Sequence, residues 1–129
     1  METLTVKTTT CGVEINGVAY IRKDSVVDAP ELNDDNYVIV RSKDSGVHAG
    51  YLEYKDSENG IVTLKNARRI WYWKGAASIS QLAIDGTSCP GECKFPAPVP
   101  LIEIMGICEI IPCTLKAIKS IQSVKSWKE

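Results

Sequence analysis

The first 35 residues combine a hairpin pattern with a polar segment. Residues 12–15 and 18–21 have the alternation of a strand pair, and Asn16-Gly17 separates them. This dipeptide favours a type I′ turn because both of its residues tolerate positive φ. Residues 28–36 are polar, contain a proline and predict a linker. We therefore expect an N-terminal β-hairpin arm with its linker over residues 1–35, and a ligand-binding core over residues 36–129.

The first part of the core has the pattern of successive strands. Ser45-Gly46 and the segment 58–60 have turn composition. Short turns between consecutive strands predict an antiparallel meander. The segments with strand character are 37–41, 47–54, 61–64 and 70–73.

Two helices are predicted beyond the meander. Ser78 and Gln81 match a capping box that opens a short helix, and Gly86 is a stop signal. A C-terminal helix is predicted by apolar residues at helical spacing. These residues are Leu115, Ile118 and Ile121.

A proline-containing loop over residues 89–100 separates the short helix from an apolar run over residues 101–111. This run predicts one further strand, with a bulge at Gly106. The expected fold class is therefore α+β: an antiparallel β-meander with a short helix, a further strand and a C-terminal helix.

Composition and charge narrow the classes of partner. The chain has 129 residues, 44% of them hydrophobic, which is enough for a single folded domain. Its 15 basic and 16 acidic residues give a net charge of −1. A nonspecific duplex binder needs a basic excess, so we expect no long nucleic acid as partner. We expect no membrane partner either, because no apolar run reaches the length of a membrane span.

The five cysteines and the N-terminus bear on the compartment. An odd number of irregularly spaced cysteines does not predict a secreted disulfide framework. The first residues have neither a basic region nor the apolar core of a signal peptide. The cytoplasm is the expected compartment.

Catalytic, cofactor and metal motifs are weak in this sequence. His48 is the single histidine, and no nucleophile motif or phosphate-binding glycine loop accompanies it. The pairs Cys89/Cys93 and Cys108/Cys113 have spacings compatible with zinc, but the second pair straddles an apolar strand and favours buried thiols. We therefore expect no catalytic residue, no metal and no cofactor.

Residues 66–78 contain the densest candidate chemistry. On a strand, a period of two places Arg69, Trp71 and Trp73 on one face and Arg68 on the other. Guanidinium groups bind phosphates and flat aromatic rings stack on bases, which is the chemistry of a nucleotide site. The small residues that follow lead into a helix N-terminus that an anion could approach. The alternative is that the tryptophans belong to the core and the arginines are solvated.

Two further sets of residues could contact a ligand. Phe95 is the single phenylalanine and lies in the proline loop beside Lys94, where it could stack on a purine or anchor the loop. The lysines of the predicted C-terminal helix include Lys116 and Lys119, although such lysines are commonly a solvated face.

Several motifs together resemble a set of small phage proteins, the anti-Thoeris sponge family (Thoeris anti-defence protein 1). The resemblance covers roughly residues 37–129 and leaves the arm outside it. The motifs that carry it are Tyr37-Val38-Ile39-Val40-Arg41, Gly46-Val47-His48-Ala49-Gly50, Asn66-Ala67-Arg68-Arg69-Ile70-Trp71-Tyr72-Trp73, Gly75-Ala76-Ala77-Ser78, Cys93-Lys94-Phe95-Pro96 and Glu109-Ile110-Ile111-Pro112.

The resemblance implies a protein without enzymatic activity that binds glycocyclic ADP-ribose signals and keeps the Thoeris effector off. It also implies dimers that assemble up to hexamers in the host cytoplasm. Some members of the family hold cyclic di- or trinucleotides of CBASS immunity at a separate site. The alternative that we keep open is a protein-interaction inhibitor, which would bind a host defence protein directly.

The resemblance also implies roles for single residues. Phe95 corresponds to the base-stacking aromatic of the ADP-ribose pocket. Arg41 and Arg69 correspond to the phosphate-facing arginines of the cyclic trinucleotide site, with Arg68 as an ambiguous neighbour. Basic contacts are expected from the last helix, where this sequence has Lys116, Lys119 and Lys125 but no arginine. This departure affects the expected strength and choice of ligand.

Overall fold

The structure, a computed structural model, describes residues 6–9, 12–15, 18–20 and 36–128. The chain divides into two compact units, Met1–Pro30 and Glu31–Glu129. The predicted turn at Asn16-Gly17 and nearly all of the predicted linker over 28–36 lie outside the described residues.

The N-terminal unit contains a three-stranded antiparallel sheet of β1 (Val6–Thr9), β2 (Gly12–Ile15) and β3 (Val18–Tyr20), in that order. Ile15 pairs with Val18, so two residues connect β2 to β3 as the hairpin pattern predicts. The sequence did not predict β1, because its residues lack apolar alternation.

The second unit is an antiparallel five-stranded sheet with two helices, which confirms the predicted α+β fold. The strand order is β7-β6-β5-β4-β8. The helices are α1 (Ile79–Asp85) and α2 (Leu115–Ser123). The strands are β4 (Tyr37–Ser42), β5 (Gly46–Asp56), β6 (Ile61–Arg69), β7 (Val99–Ile104) and β8 (Ile107–Pro112).

The apolar run over 101–111 is two strands rather than the single bulged strand expected. Gly106 has φ 71°, which glycine adopts readily, and the chain turns there between β7 and β8. These strands are the opposite edges of the sheet, which in a flat sheet would lie about 19 Å apart. Three Cα steps from Ile104 to Ile107 span at most about 11 Å. The sheet must therefore curl so that its two edges approach each other at this turn. There the amide of Ile107, at the start of β8, donates to the carbonyl of Gly60 at 3.1 Å.

The curled sheet has two apolar faces. One cluster comes from strands alone, with Val38, Val40, Leu64 and Ile104 among its buried members. On the opposite face, Tyr37 and Ile39 of β4 pack with buried residues of both helices. The second cluster includes Leu82, Ala83, Phe95, Ala117, Ile118 and Ile121.

The strand predicted over residues 70–73 is wrong. β6 continues through residues 65–69, which are mostly polar, and ends at Arg69. Beyond it, Tyr72 forms only an isolated bridge with Lys94. Trp71 and Trp73 therefore lie just outside the sheet rather than within it.

Local capping explains where both helices begin. Ser78 Oγ accepts from the amide of Gln81 at 3.3 Å, and Gln81 Oε1 accepts from the amide of Ala77 at 2.7 Å. Thr114 Oγ1 likewise accepts from the amide of Ala117 at 3.1 Å. Because side chains of the protein already cap α1, the expected approach of an anion to its N-terminus has no support. No helix among the described residues is long and apolar enough to cross a bilayer.

Candidate functional site

A groove of about 370 Å³ lies where β6 ends and the β4–β5 turn passes. It brings together three residues that the sequence placed on one face: Arg69, Trp71 and Trp73. Trp71 is 65% exposed and Trp73 is half-buried, so aromatic surface is available in the groove. The groove is completed by Asp44, Ser45, Gly46, Val47 and Ile70.

Arg69 is held at this groove by its own neighbours. Its Nη1 donates to the carbonyl of Ser45 at 2.8 Å, and its side chain is exposed. A guanidinium has five N–H donors, so this bond leaves others able to bind a phosphate. Asp44 adds an exposed carboxylate, an acceptor for a ribose hydroxyl.

Arg68 points into the protein and has a structural role. It is 3% exposed, and its guanidinium makes four hydrogen bonds to backbone carbonyls. Two of these, to Ile121 and Val124, join it to the C-terminal end of α2, where a cation is favoured by the helix dipole. Arg68 therefore does not line this groove.

Phe95 is fully buried, so its ring is not accessible for the base stacking that the resemblance implies. Its ring lies in the cluster beneath the helices, with the Arg68 guanidinium 5.5 Å from the ring centroid. Its carbonyl accepts from Arg68 Nη2 and from the amide of Trp127, both at 2.9 Å. The structure thus supports the alternative reading, in which Phe95 anchors the proline loop.

The remaining candidate cations are spread over the surface. Arg41 is exposed and pairs with Glu109 of β8 at 3.1 Å, although its cross-strand neighbour Val47 lines the groove. Lys116 pairs with Asp85 at 3.6 Å. Lys119 and Lys125 are exposed on and after α2. The structure does not bring the helix lysines to the groove.

Lys94 belongs to a separate aromatic cluster. Its Nζ lies 5.9 Å from the ring centroid of Tyr72 and 5.6 Å from that of Trp127. These are cation–π distances. Lys94 therefore contacts aromatic rings of its own chain and does not line the groove.

His48 is poorly placed for acid–base chemistry. It is 1% exposed, and neither ring nitrogen has a hydrogen-bond partner in the described part of the chain. Burial, and then the positive charge of Arg69, lower the pKa of His48 to about 4. The histidine is neutral and shielded at neutral pH.

The cysteines do not gather into a metal site among residues 36–128. No cluster of three or more His, Cys, Asp or Glu side chains there could hold a metal ion. Cys93 and Cys113 are buried thiols, and Cys108 is exposed. Burial raises the pKa of Cys113 to about 12.

Sequence reasoning missed the contribution of the β4–β5 turn. The sequence pattern assigned Ser45 only to a turn and gave Asp44 no role, yet both residues line the groove. The antiparallel pairing of β5 with β6, which sets His48 opposite Arg69, brings this turn to the end of β6. The alternation of residues 69–73 could not predict that pairing, because it does not show which strand lies beside them.

A family model described as a domain of unknown function (DUF6948) matches residues 35–121. The chain belongs to the DUF6948 family. The matched DUF6948 segment runs from just before β4 into α2. It contains every residue that lines the groove of Arg69, Trp71 and Trp73, hereafter the tryptophan groove. No curated protein and no solved structure matches the chain.

Proposed function

We propose that this protein is a non-enzymatic binder that captures small cyclic nucleotide signals, as the resemblance to the anti-Thoeris sponge family implies. Its expected ligands are glycocyclic ADP-ribose and, at a separate site, cyclic di- or trinucleotides. Its place of action would be the cytoplasm of a phage-infected host. Capture alone suffices for this role, because a binder in excess of the signal lowers its free concentration by mass action.

The groove of Arg69, Trp71 and Trp73 is the single observation that carries the proposal. It offers a cation for phosphate, aromatic faces for a base and the Asp44 carboxylate for a ribose hydroxyl. Its volume of about 370 Å³ is at the lower end of the range for small-molecule sites. A ligand larger than one nucleotide would extend beyond it, so we propose an even-numbered oligomer in which a second copy contributes.

The buried state of His48 supports binding without chemistry. The only histidine is shielded and neutral, so it does not serve as a general base at this groove.

The test is to incubate the full-length protein with a panel of cyclic ADP-ribose isomers and cyclic oligonucleotides, remove unbound ligand and release the remainder by heat. Mass spectrometry should then recover an unchanged ligand in stoichiometric amount. A cleaved product that accumulates with time would refute the sponge proposal and indicate an enzyme.

Variants then locate the site by calorimetric titration. Trp71→Ala should cost about 1–3 kcal/mol of binding free energy, as loss of a base–aromatic stack does. Arg69→Ala should weaken binding by an amount that shrinks at high salt, because salt screens charge pairs. Tyr54→Ala is the matched control, since Tyr54 is an exposed aromatic that does not line the groove. Equal losses in all three variants would contradict the assignment of the groove.

The edge strand β7 favours a second candidate function, a protein-interaction inhibitor. Val99 and Leu101 are exposed on one face of β7, and Met105 follows them at its end. Apolar side chains on an unpaired edge are a common contact surface, although Pro100 has no N–H and interrupts pairing along this edge. If the folded protein binds no ligand of the panel, this alternative is favoured.

A further inference from the structure

A second cavity, of about 310 Å³, lies on the helix-covered face of the curled sheet. It shares no lining residue with the tryptophan groove. The residues that line it are Tyr37, Tyr51, Asn66, Arg68, Pro98 and Gln122.

Tyr37 lines this cavity and has an unsatisfied hydroxyl. Its side chain is 2% exposed, and its Oη has no hydrogen-bond partner in the described part of the chain. Buried polar atoms of native proteins almost always have a partner, which is a protein group, a water or a ligand. Burial raises the pKa of Tyr37, so the phenol keeps its proton and can donate it.

Tyr51 brings a second hydroxyl proton. It lies opposite Tyr37 in the register of β4 and β5, and the two rings meet edge to face with centroids 4.9 Å apart. Gln122 Nε2 donates to Tyr51 Oη at 2.8 Å. Tyr51 therefore accepts in this bond, and its own proton remains available to a ligand.

Arg68 brings positive charge. Its bonds to the carbonyls of Phe95, Pro96, Ile121 and Val124 use four of the five N–H donors of a guanidinium, which leaves one on Nη2. None of the ion pairs within residues 36–128 includes Arg68. A buried cation that is paired only with carbonyl dipoles favours an anion close by.

We propose that this cavity binds a compact oxyanion, the carboxylate or phosphate group of a small molecule, through Tyr37 Oη, Tyr51 Oη and the remaining Nη2 proton of Arg68. An oxyanion has enough lone pairs to accept from all three donors, and its charge complements the guanidinium. A single water would satisfy Tyr37 without balancing the charge. This site shares no lining residue with the tryptophan groove, so its proposed ligand does not depend on the proposed nucleotide binding.

The test is calorimetric titration of the full-length protein with inorganic phosphate and, separately, with acetate, at an ionic strength held constant with sodium chloride. Saturable binding of at least one anion is expected, and the preferred one identifies the ligand group. Tyr37→Phe and Tyr51→Phe should each weaken that binding by about tenfold or more, as loss of a hydrogen bond to a charged group does. Tyr54→Phe is the matched control on β5 and should bind as wild type does.

Two further measurements separate binding from folding and from the groove. Thermal melts without anion should show Tyr37→Phe to be at least as stable as wild type, because the substitution removes an unsatisfied buried hydroxyl. In the background of Arg69→Ala, which removes the phosphate-binding group of the groove, Tyr37→Phe should still weaken anion binding by the same factor. Absence of saturable binding beyond chloride, or unchanged affinity in Tyr37→Phe, would overturn the proposal and leave a cavity that holds water only.

Discussion

At the level of single residues, the neighbours Arg68 and Arg69 show how far the sequence could predict the site. A strand period of two separated them and grouped Arg69 with Trp71 and Trp73; these three residues do line one groove, although the strand assumed over residues 70–73 is absent. It could not predict the burial of Arg68, because two of its carbonyl partners, on Ile121 and Val124, lie 53 and 56 positions along the chain. Such long-range contacts leave no local pattern.

His48 makes stability depend on pH. Its pKa is about 4 in the folded protein and about 6.5 in an unfolded chain. The unfolded state therefore binds more protons between these values, and the free energy of unfolding falls as the pH decreases from 6.5 to 4. The full loss is about 3 kcal/mol.

Urea denaturation across this pH range checks the prediction. The curve of wild type should fall more steeply than that of His48→Leu, which has no histidine left to titrate. Parallel curves for the two proteins would show that the histidine does not titrate as the structure implies.

At the level of elements, the sequence predicted the helix start and the turns, because neighbouring residues determine these features. The capping box at Ser78 and Gln81 and the turns around β5 are confirmed. The extent of β6 was missed because residues 65–69 are mostly polar, and only their position between β5 and β7 makes them a strand. The division between β7 and β8 was missed because an apolar run does not show to which edge of the sheet each half belongs.

The contact between α1 and α2 depends on Gly86. It ends α1 with φ 72°, and a Cβ there would overlap the side chain of Ser120 on α2. Gly46 has a similar φ of 80°, but a Cβ there would meet no atom within 4 Å. Gly46→Ala therefore measures the backbone strain alone, which is about 1–2 kcal/mol.

Gly86→Ala should destabilise the protein by more than Gly46→Ala does, because the overlap adds about 1–3 kcal/mol to the backbone strain at Gly86 itself. Urea denaturation of the two variants gives the comparison directly. Equal destabilisation would mean that the helices separate at no cost, in contradiction to the packing described.

At the level of the whole molecule, the curl of the sheet buries one apolar cluster within the strands and leaves β7 as an exposed edge. The sequence predicted the number of helices and the meander. It could not predict the curl, which follows from joining two opposite edges through Met105-Gly106. The exposure of Val99 and Leu101 is a consequence of this topology.

The proposed even-numbered assembly can be tested at this edge. In a two-fold interface every substitution occurs twice, so Leu101→Lys would place two like charges in an apolar contact between β7 strands. Light scattering at micromolar concentration should give a multiple of two chains for wild type and a smaller mass for this variant. Leu115→Lys is the control, because Leu115 is also an exposed leucine but lies on α2. A wild-type monomer would contradict the assembly, whereas an oligomer that Leu101→Lys leaves intact would show that its contact lies away from β7.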